Sequence, residues 1–135
     1  MDAADDLSCR PDFTMLLYPW CILGDNSQPK ASCHADTNHT LTLDVTERTP
    51  PMFIAQAEDD PVHCDNSLLL YLALKQAGAP PSELHIYPQG GHGFGLCQRR
   101  EDVCSWPDRA RQFLEQQDII PGDPRIDPVD PEMGS

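Results

Sequence analysis

An acidic turn, Glu58-Asp59-Asp60-Pro61-Val62, and a glycine-embedded histidine, Gly90-Gly91-His92-Gly93-Phe94-Gly95, carry the residue types from which acid–base chemistry is built. A carboxylate that accepts from one imidazole nitrogen fixes the tautomer. The other nitrogen is then left to take a proton from a hydroxyl nucleophile and return it to a leaving group. Asp60 and His92 are the candidate catalytic pair, with Asp59 the alternative acid. The glycines suit this task, because a loop without side chains folds closely and lets a substrate approach. The plainer alternative is a solvated acidic turn and a flexible glycine turn with an incidental histidine.

Other chemistries find less support. His63 sits beside the acidic turn and would crowd it, whereas His34, His39 and His85 share no ligand spacing, so no metal or cofactor is expected. The glycine loop lacks the Gly-Lys-Ser/Thr continuation of a phosphate cradle. A nucleophile elbow, G-x-S-x-G, is absent: no serine of the chain has a glycine two places away on either side, and the pair Gly91 and Gly95 encloses Gly93. The chain offers an acid and a base without a nucleophile.

Both candidates follow short apolar runs. Met52–Ala57 reads as a buried strand that delivers the acidic turn, and Glu83-Leu84-His85-Ile86-Tyr87-Pro88 reads as a second that delivers the glycine loop, Gln89 to Leu96. Between them Asp65 is a candidate N-cap for a leucine-rich helix, stopped by Gly78 and Pro80-Pro81. Strand, helix, strand is a right-handed crossover, so the two strands lie parallel, adjacent or separated by one other, and both loops leave from one edge. Ligands of open α/β sheets sit beyond the carboxyl ends of strands.

The remaining elements frame this unit. Asp12–Trp20 reads as an earlier strand stopped by proline, and 21–51 as a long loop with a short strand at Leu41 to Val45. Ser105-Trp106-Pro107-Asp108 has the pattern of a capping box opening an amphipathic helix, with Trp106, Ala110, Phe113 and Leu114 on one stripe and an end near Gln117. From Pro121 onward, prolines alternate with acids, a composition that does not bury enough apolar surface to order itself. The organisation expected is therefore 1–120 as folded domain and 121–135 as disordered tail.

Composition narrows the function. A chain of 135 residues fits one domain, and 9 Lys and Arg against 22 Asp and Glu give a formal charge of −13, which opposes nucleic-acid and anionic-membrane partners. No run reaches the roughly 18 apolar residues that cross a bilayer, and the first residues lack the basic start and apolar centre of a signal peptide. A cytoplasmic location is the default expectation. The six cysteines show no C-x-x-C; they read as thiols rather than a zinc site, with Cys97 and Cys104, around a short loop, the pair best placed for a bridge. Asn38-His39-Thr40 fits a glycosylation sequon by coincidence.

Six segments together resemble the C-terminal half of an α/β-hydrolase. They are Pro11-Asp12-Phe13 leading to Leu17-Tyr18-Pro19, Pro51–Ala55 leading to Asp59-Asp60-Pro61-Val62, Tyr71–Gly78, Glu83–Tyr87, Gly90–Gly95, and Trp106-Pro107. The likeness spans roughly residues 5 to 117 and is to acetyl-xylan-esterase-like and dienelactone-hydrolase-like esterases. It implies an α/β class with a partial α/β-hydrolase fold: the last three parallel strands with flanking helices, in an incomplete sheet.

It also implies a serine hydrolase using the order Ser…Asp…His. The family's acid lies in a D-x-x-[hydrophobic] turn, assigned to Asp60, although His63 stands three beyond it, and the Gly-Gly-His-Gly histidine is His92. The family's nucleophile elbow and oxyanion loop fall upstream of everything present, so Met1 reads as an internal start, a gene-model truncation or a deliberate fragment. The expected function is the acid and base portion of a carboxylic-ester hydrolase acting on short acyl esters, with acetylated carbohydrate implied by likeness alone. A small-molecule ester is the expected partner if an upstream half completes the site, the isolated chain is expected to be inactive, and self-association through an unpaired strand edge is a further expectation. A non-catalytic remnant or partner-binding module is the alternative.

Overall fold

The computed structural model describes residues 8–20, 22, 41, 43–97 and 102–122. Strands β1 (Thr14–Leu17), β2 (Met52–Ala57) and β3 (Glu83–Tyr87) form one parallel sheet in the order β1-β2-β3. The strands that carry the acid and the histidine are therefore direct neighbours, with Ala57 opposite Tyr87 at their carboxyl ends. Helix α1 (Asp65–Gln76) links β2 to β3, and α2 (Trp106–Gln116) follows a 3-10 turn at Asp102–Ser105.

The period-two alternation of β2 divides its buried side chains between two cores. On one face Phe53 and Ala55 meet Val103, Trp106, Ala110 and Phe113 around α2, backed by Met15 and Leu17 of β1. On the other, Ile54 meets Leu70 and Leu74 of α1, backed by Leu16 and Leu84. Phe53 and Phe113 are fully buried with ring centroids 5.9 Å apart, and burying each contributes roughly 1.5–3 kcal/mol. The sheet is thus a middle layer between the helices.

Both helices end in the same device. Gly78 has φ +69°, its N–H donates to Lys75 O, and the Ala79 N–H reaches back to Leu74 O, a Schellman closure in which glycine accepts the left-handed conformation. In α2 Asp118 takes that position at φ +55°, with the Ile119 N–H on Leu114 O. The expected stop at Gly78 falls where it was read.

Four expectations require correction. Cys64, not Asp65, is the N-cap of α1, in helical backbone and without a side-chain cap bond. Ser105 caps α2 by position, but no capping box forms: its hydroxyl donates to Asp102 O at 2.6 Å, closing the 3-10 turn instead. The expected strand at Leu41 to Val45 is not found among the described residues, where Leu41 makes only an isolated bridge and 43–46 are irregular. Cys97 and Cys104 are joined as a disulfide rather than held as thiols, whereas Cys9 and Cys64 are free. Residues 23–40 of the expected loop, with Cys33 and the sequon at 38–40, as well as Cys21, Met1 and residues 123–135 of the expected tail, lie outside the described residues.

Candidate active site

The acidic turn is shaped from beneath by β2. Gln56, polar in an otherwise apolar strand and fully buried, donates from Nε2 to Val62 O at 2.8 Å and accepts from the Ser67 hydroxyl at 2.5 Å. Ser67 lies in the first turn of α1, so strand, turn and helix are tied together at one point. Within the turn the Val62 N–H donates to Asp60 Oδ1 at 2.7 Å. Asp60 is left only 6% exposed, its carboxylate aimed across the sheet edge.

His92 arrives from β3. Its Nδ1 lies 2.9 Å from Asp60 Oδ2 and 3.1 Å from Oδ1. Carboxylate oxygens accept, so Nδ1 carries the proton and Nε2 is the acceptor, the tautomer a general base requires. Side-chain exposure separates the roles: 0% for Asp60, 39% for His92. The acid is held out of water and the imidazole faces it.

The loop that presents His92 is fixed at several points. A Cβ on Gly90 would come within 3.1 Å of both Ala57 Cβ and a Val103 methyl, so any larger residue would have to push these neighbours aside where the chain leaves β3. Gly91 and Gly93 have φ of +63° and +75°, the left-handed region that glycine enters without steric cost. Trp106 donates from Nε1 to Gly95 O at 2.8 Å, and the disulfide ties Cys97 to the 3-10 turn. Tyr18, just past β1, holds an unusual φ of +42° for a side-chain-bearing residue while its N–H continues the ladder to Ala55 O. Its ring stands edge-on to His92 and to Phe94, at 5.1 and 4.9 Å.

Asp59 does not reach the imidazole bond. It is exposed, and its Oδ1 accepts the Gly91 N–H at 2.7 Å. His63 is exposed as well, and its carbonyl accepts from the Asn66 side chain at 2.9 Å; that carbonyl braces the start of α1 rather than the imidazole. His85 lies within β3 beside Glu83. Cys64, a nucleophile type close to Asp60, has its thiol pushed up by burial and then by Asp65, Glu58 and Asp60, which holds it in the unreactive protonated form. Among the described residues no group of His, Cys, Asp and Glu is arranged to hold a metal.

Gln56, Ser67, Val103 and Tyr18 were not singled out from the sequence. A glutamine inside Met-Phe-Ile-Ala-Gln-Ala is the one legible sign among them, since a buried polar group demands a partner.

A parallel sheet between helices, with a buried carboxylate and an accessible histidine on adjacent strand ends, is the C-terminal part of an α/β-hydrolase. The chain belongs to the prolyl oligopeptidase family, whose pattern matches residues 17–117. It is 34% identical over 103 residues to an acetylxylan esterase of Xylanibacter ruminicola, a match covering 64% of this chain and 21% of that protein. Among solved structures it is similar to an acetyl ester-xyloside bifunctional hydrolase from Caldicellulosiruptor lactoaceticus, with TM-score 0.68 and 34% identity over 88% of this chain and 47% of that one. A sugar hydrolase from Lactococcus lactis aligns with TM-score 0.61 and 28% identity, over 82% and 50%. The chain thus spans about half the length of these solved relatives and about a fifth of the esterase.

Proposed function

We propose that the chain supplies the acid and base of a serine carboxylic-ester hydrolase, with Asp60 as acid and His92 as general base. The observation that carries this proposal is the buried Asp60 carboxylate on His92 Nδ1 at 2.9 Å, beside a half-exposed ring. In the reaction Nε2 takes the proton of an attacking hydroxyl as its oxygen bonds the ester carbonyl carbon. Asp60 stabilises the imidazolium that forms, and the same proton passes to the departing alkoxide as the carbon–oxygen bond breaks. Water then repeats the sequence on the acyl intermediate.

Short acyl esters, acetylated carbohydrate among them, are the proposed substrates. The family's name refers to peptidases, but two relatives at 34% identity are named for acetyl esters, which favours an ester over a peptide bond. A second reading, a folded module without catalysis of its own, is favoured by one feature: no G-x-S-x-G occurs in the 135 residues. Hydrolysis of p-nitrophenyl acetate separates them. The isolated chain is expected to show no turnover above background, because no G-x-S-x-G elbow occurs in its sequence to present a serine beside an oxyanion hole. A longer form, with a G-x-S-x-G-bearing half preceding this chain, is expected to turn over and to lose that activity in His92→Ala. Saturable turnover by the isolated chain, abolished by His92→Ala, contradicts the first expectation; an active longer form indifferent to His92→Ala contradicts the proposal.

A further inference from the structure

We propose that Asp59 is a positioning residue for His92, its carboxylate fixing the backbone one residue before the base while Asp60 fixes the ring. This rests on the reading of His92 as the general base. Three consecutive residues of one turn grip the exit of β3 in order. The Glu58 N–H donates to Tyr87 O at 2.7 Å, Asp59 Oδ1 accepts the Gly91 N–H at 2.7 Å, and both Asp60 oxygens face His92 Nδ1 at 2.9 and 3.1 Å. The turn itself is closed by the Asp60 N–H on Ala57 O at 3.4 Å. Neighbouring side chains diverge, and here one diverges into the protein and the other outward, so the two carboxylates perform different tasks on adjacent residues of one loop.

The division follows from the loop's composition. Gly90, Gly91, Gly93 and Gly95 give the segment around His92 wide backbone freedom. Trp106 Nε1 on Gly95 O and the Cys97–Cys104 disulfide anchor the loop beyond His92, whereas the bond that reaches the Gly91 peptide before it is the one to Asp59; with that bond lost, the imidazole keeps its ring contact with Asp60 while the backbone behind it pivots. A charge-assisted bond from Asp59 to the Gly91 N–H removes that pivot. Packing against Tyr18 at 5.1 Å limits the ring from the side but leaves the Gly91 peptide untouched.

The test uses the intact chain and two NMR readouts, the exchange rate of the Gly91 amide and the His92 Nδ1 proton, in Asp59→Ala, Asp59→Asn and Asp60→Asn. Asp59→Ala is expected to speed Gly91 exchange by about tenfold or more and to broaden or abolish the Nδ1 signal. Asp59→Asn keeps an oxygen that accepts and is expected to retain both. An unchanged Gly91 rate in Asp59→Ala overturns the proposal. So does faster exchange with an intact Nδ1 signal, which marks a surface bond without influence on the base. Loss of the dispersed Leu70 and Phe53 core signals in Asp59→Ala overturns it too, because the effect is then not local. Asp60→Asn separates the two levels: its single oxygen is held by the Val62 N–H, so the amide NH2 faces Nδ1 and disfavours the Nδ1-protonated tautomer. An Nδ1 signal that survives it sinks the general-base reading, whereas one that vanishes in Asp60→Asn but persists in Asp59→Ala sinks only the role of Asp59.

Discussion

Asp59 and Asp60 look alike in the sequence and differ entirely in setting, one exposed on the Gly91 amide and the other buried on the imidazole. Cys64 shows how the same turn governs a neighbour. Burial first, then Asp65, Glu58 and Asp60, raise its thiol above the ordinary value, so the thiolate is scarce at neutral pH. Iodoacetamide at pH 8 is expected to label the exposed Cys9 faster than Cys64, as mass spectrometry of timed samples would read; equal rates would contradict the electrostatic picture. The contact between Asp60 and His92 was legible because both stand just past the ends of strands joined by one crossover. Tyr18 was not, since its role depends on a left-handed backbone at φ +42° and on rings that the chain brings together from 74 and 76 residues away (92 − 18 and 94 − 18). Nor was the failure of the capping box, because Ser105 has a competing acceptor, Asp102 O, that only the 3-10 turn supplies.

At the scale of elements, apolar runs and breakers marked β2, α1, β3 and α2 nearly to their ends, because Pro, Gly and strand-length apolar runs act locally. β1 is shorter than the apolar run that announced it, Thr14–Leu17 within Asp12–Trp20, since the ladder to β2 closes with the Tyr18 N–H on Ala55 O, where the backbone turns left-handed at φ +42°. Adjacency of β2 and β3 was left open by the sequence, for a crossover helix of this length serves either arrangement. What the pattern missed is the polar knot under the acid. Gln56→Leu is expected to strand the Val62 carbonyl and the Ser67 hydroxyl in a buried site and to cost about 1–3 kcal/mol. Chemical denaturation would read this as a lower midpoint with an unchanged slope. A variant as stable as the parent would show that the knot contributes nothing net.

Among the described residues no strand pairs with the outer edge of β1, and Leu68 and Leu72 of α1 remain 42% and 48% exposed. Unpaired edges recruit other chains. The isolated chain is therefore expected to self-associate, its charge of −13 keeping the assemblies soluble; light scattering behind size exclusion checks this, and a sharp monomer peak with a cooperative melt would contradict it. The described residues include no helix long and apolar enough to cross a membrane. The proposal that Asp60 and His92 act as acid and base of an ester hydrolase is tested most directly by kcat/KM for p-nitrophenyl acetate in a longer form with a G-x-S-x-G-bearing half preceding this chain. Asp60→Asn is expected to lower it by about two to four powers of ten, through the wrong imidazole tautomer, and Asp59→Asn by far less. Equal losses at the two positions, or a larger loss at Asp59, would contradict it.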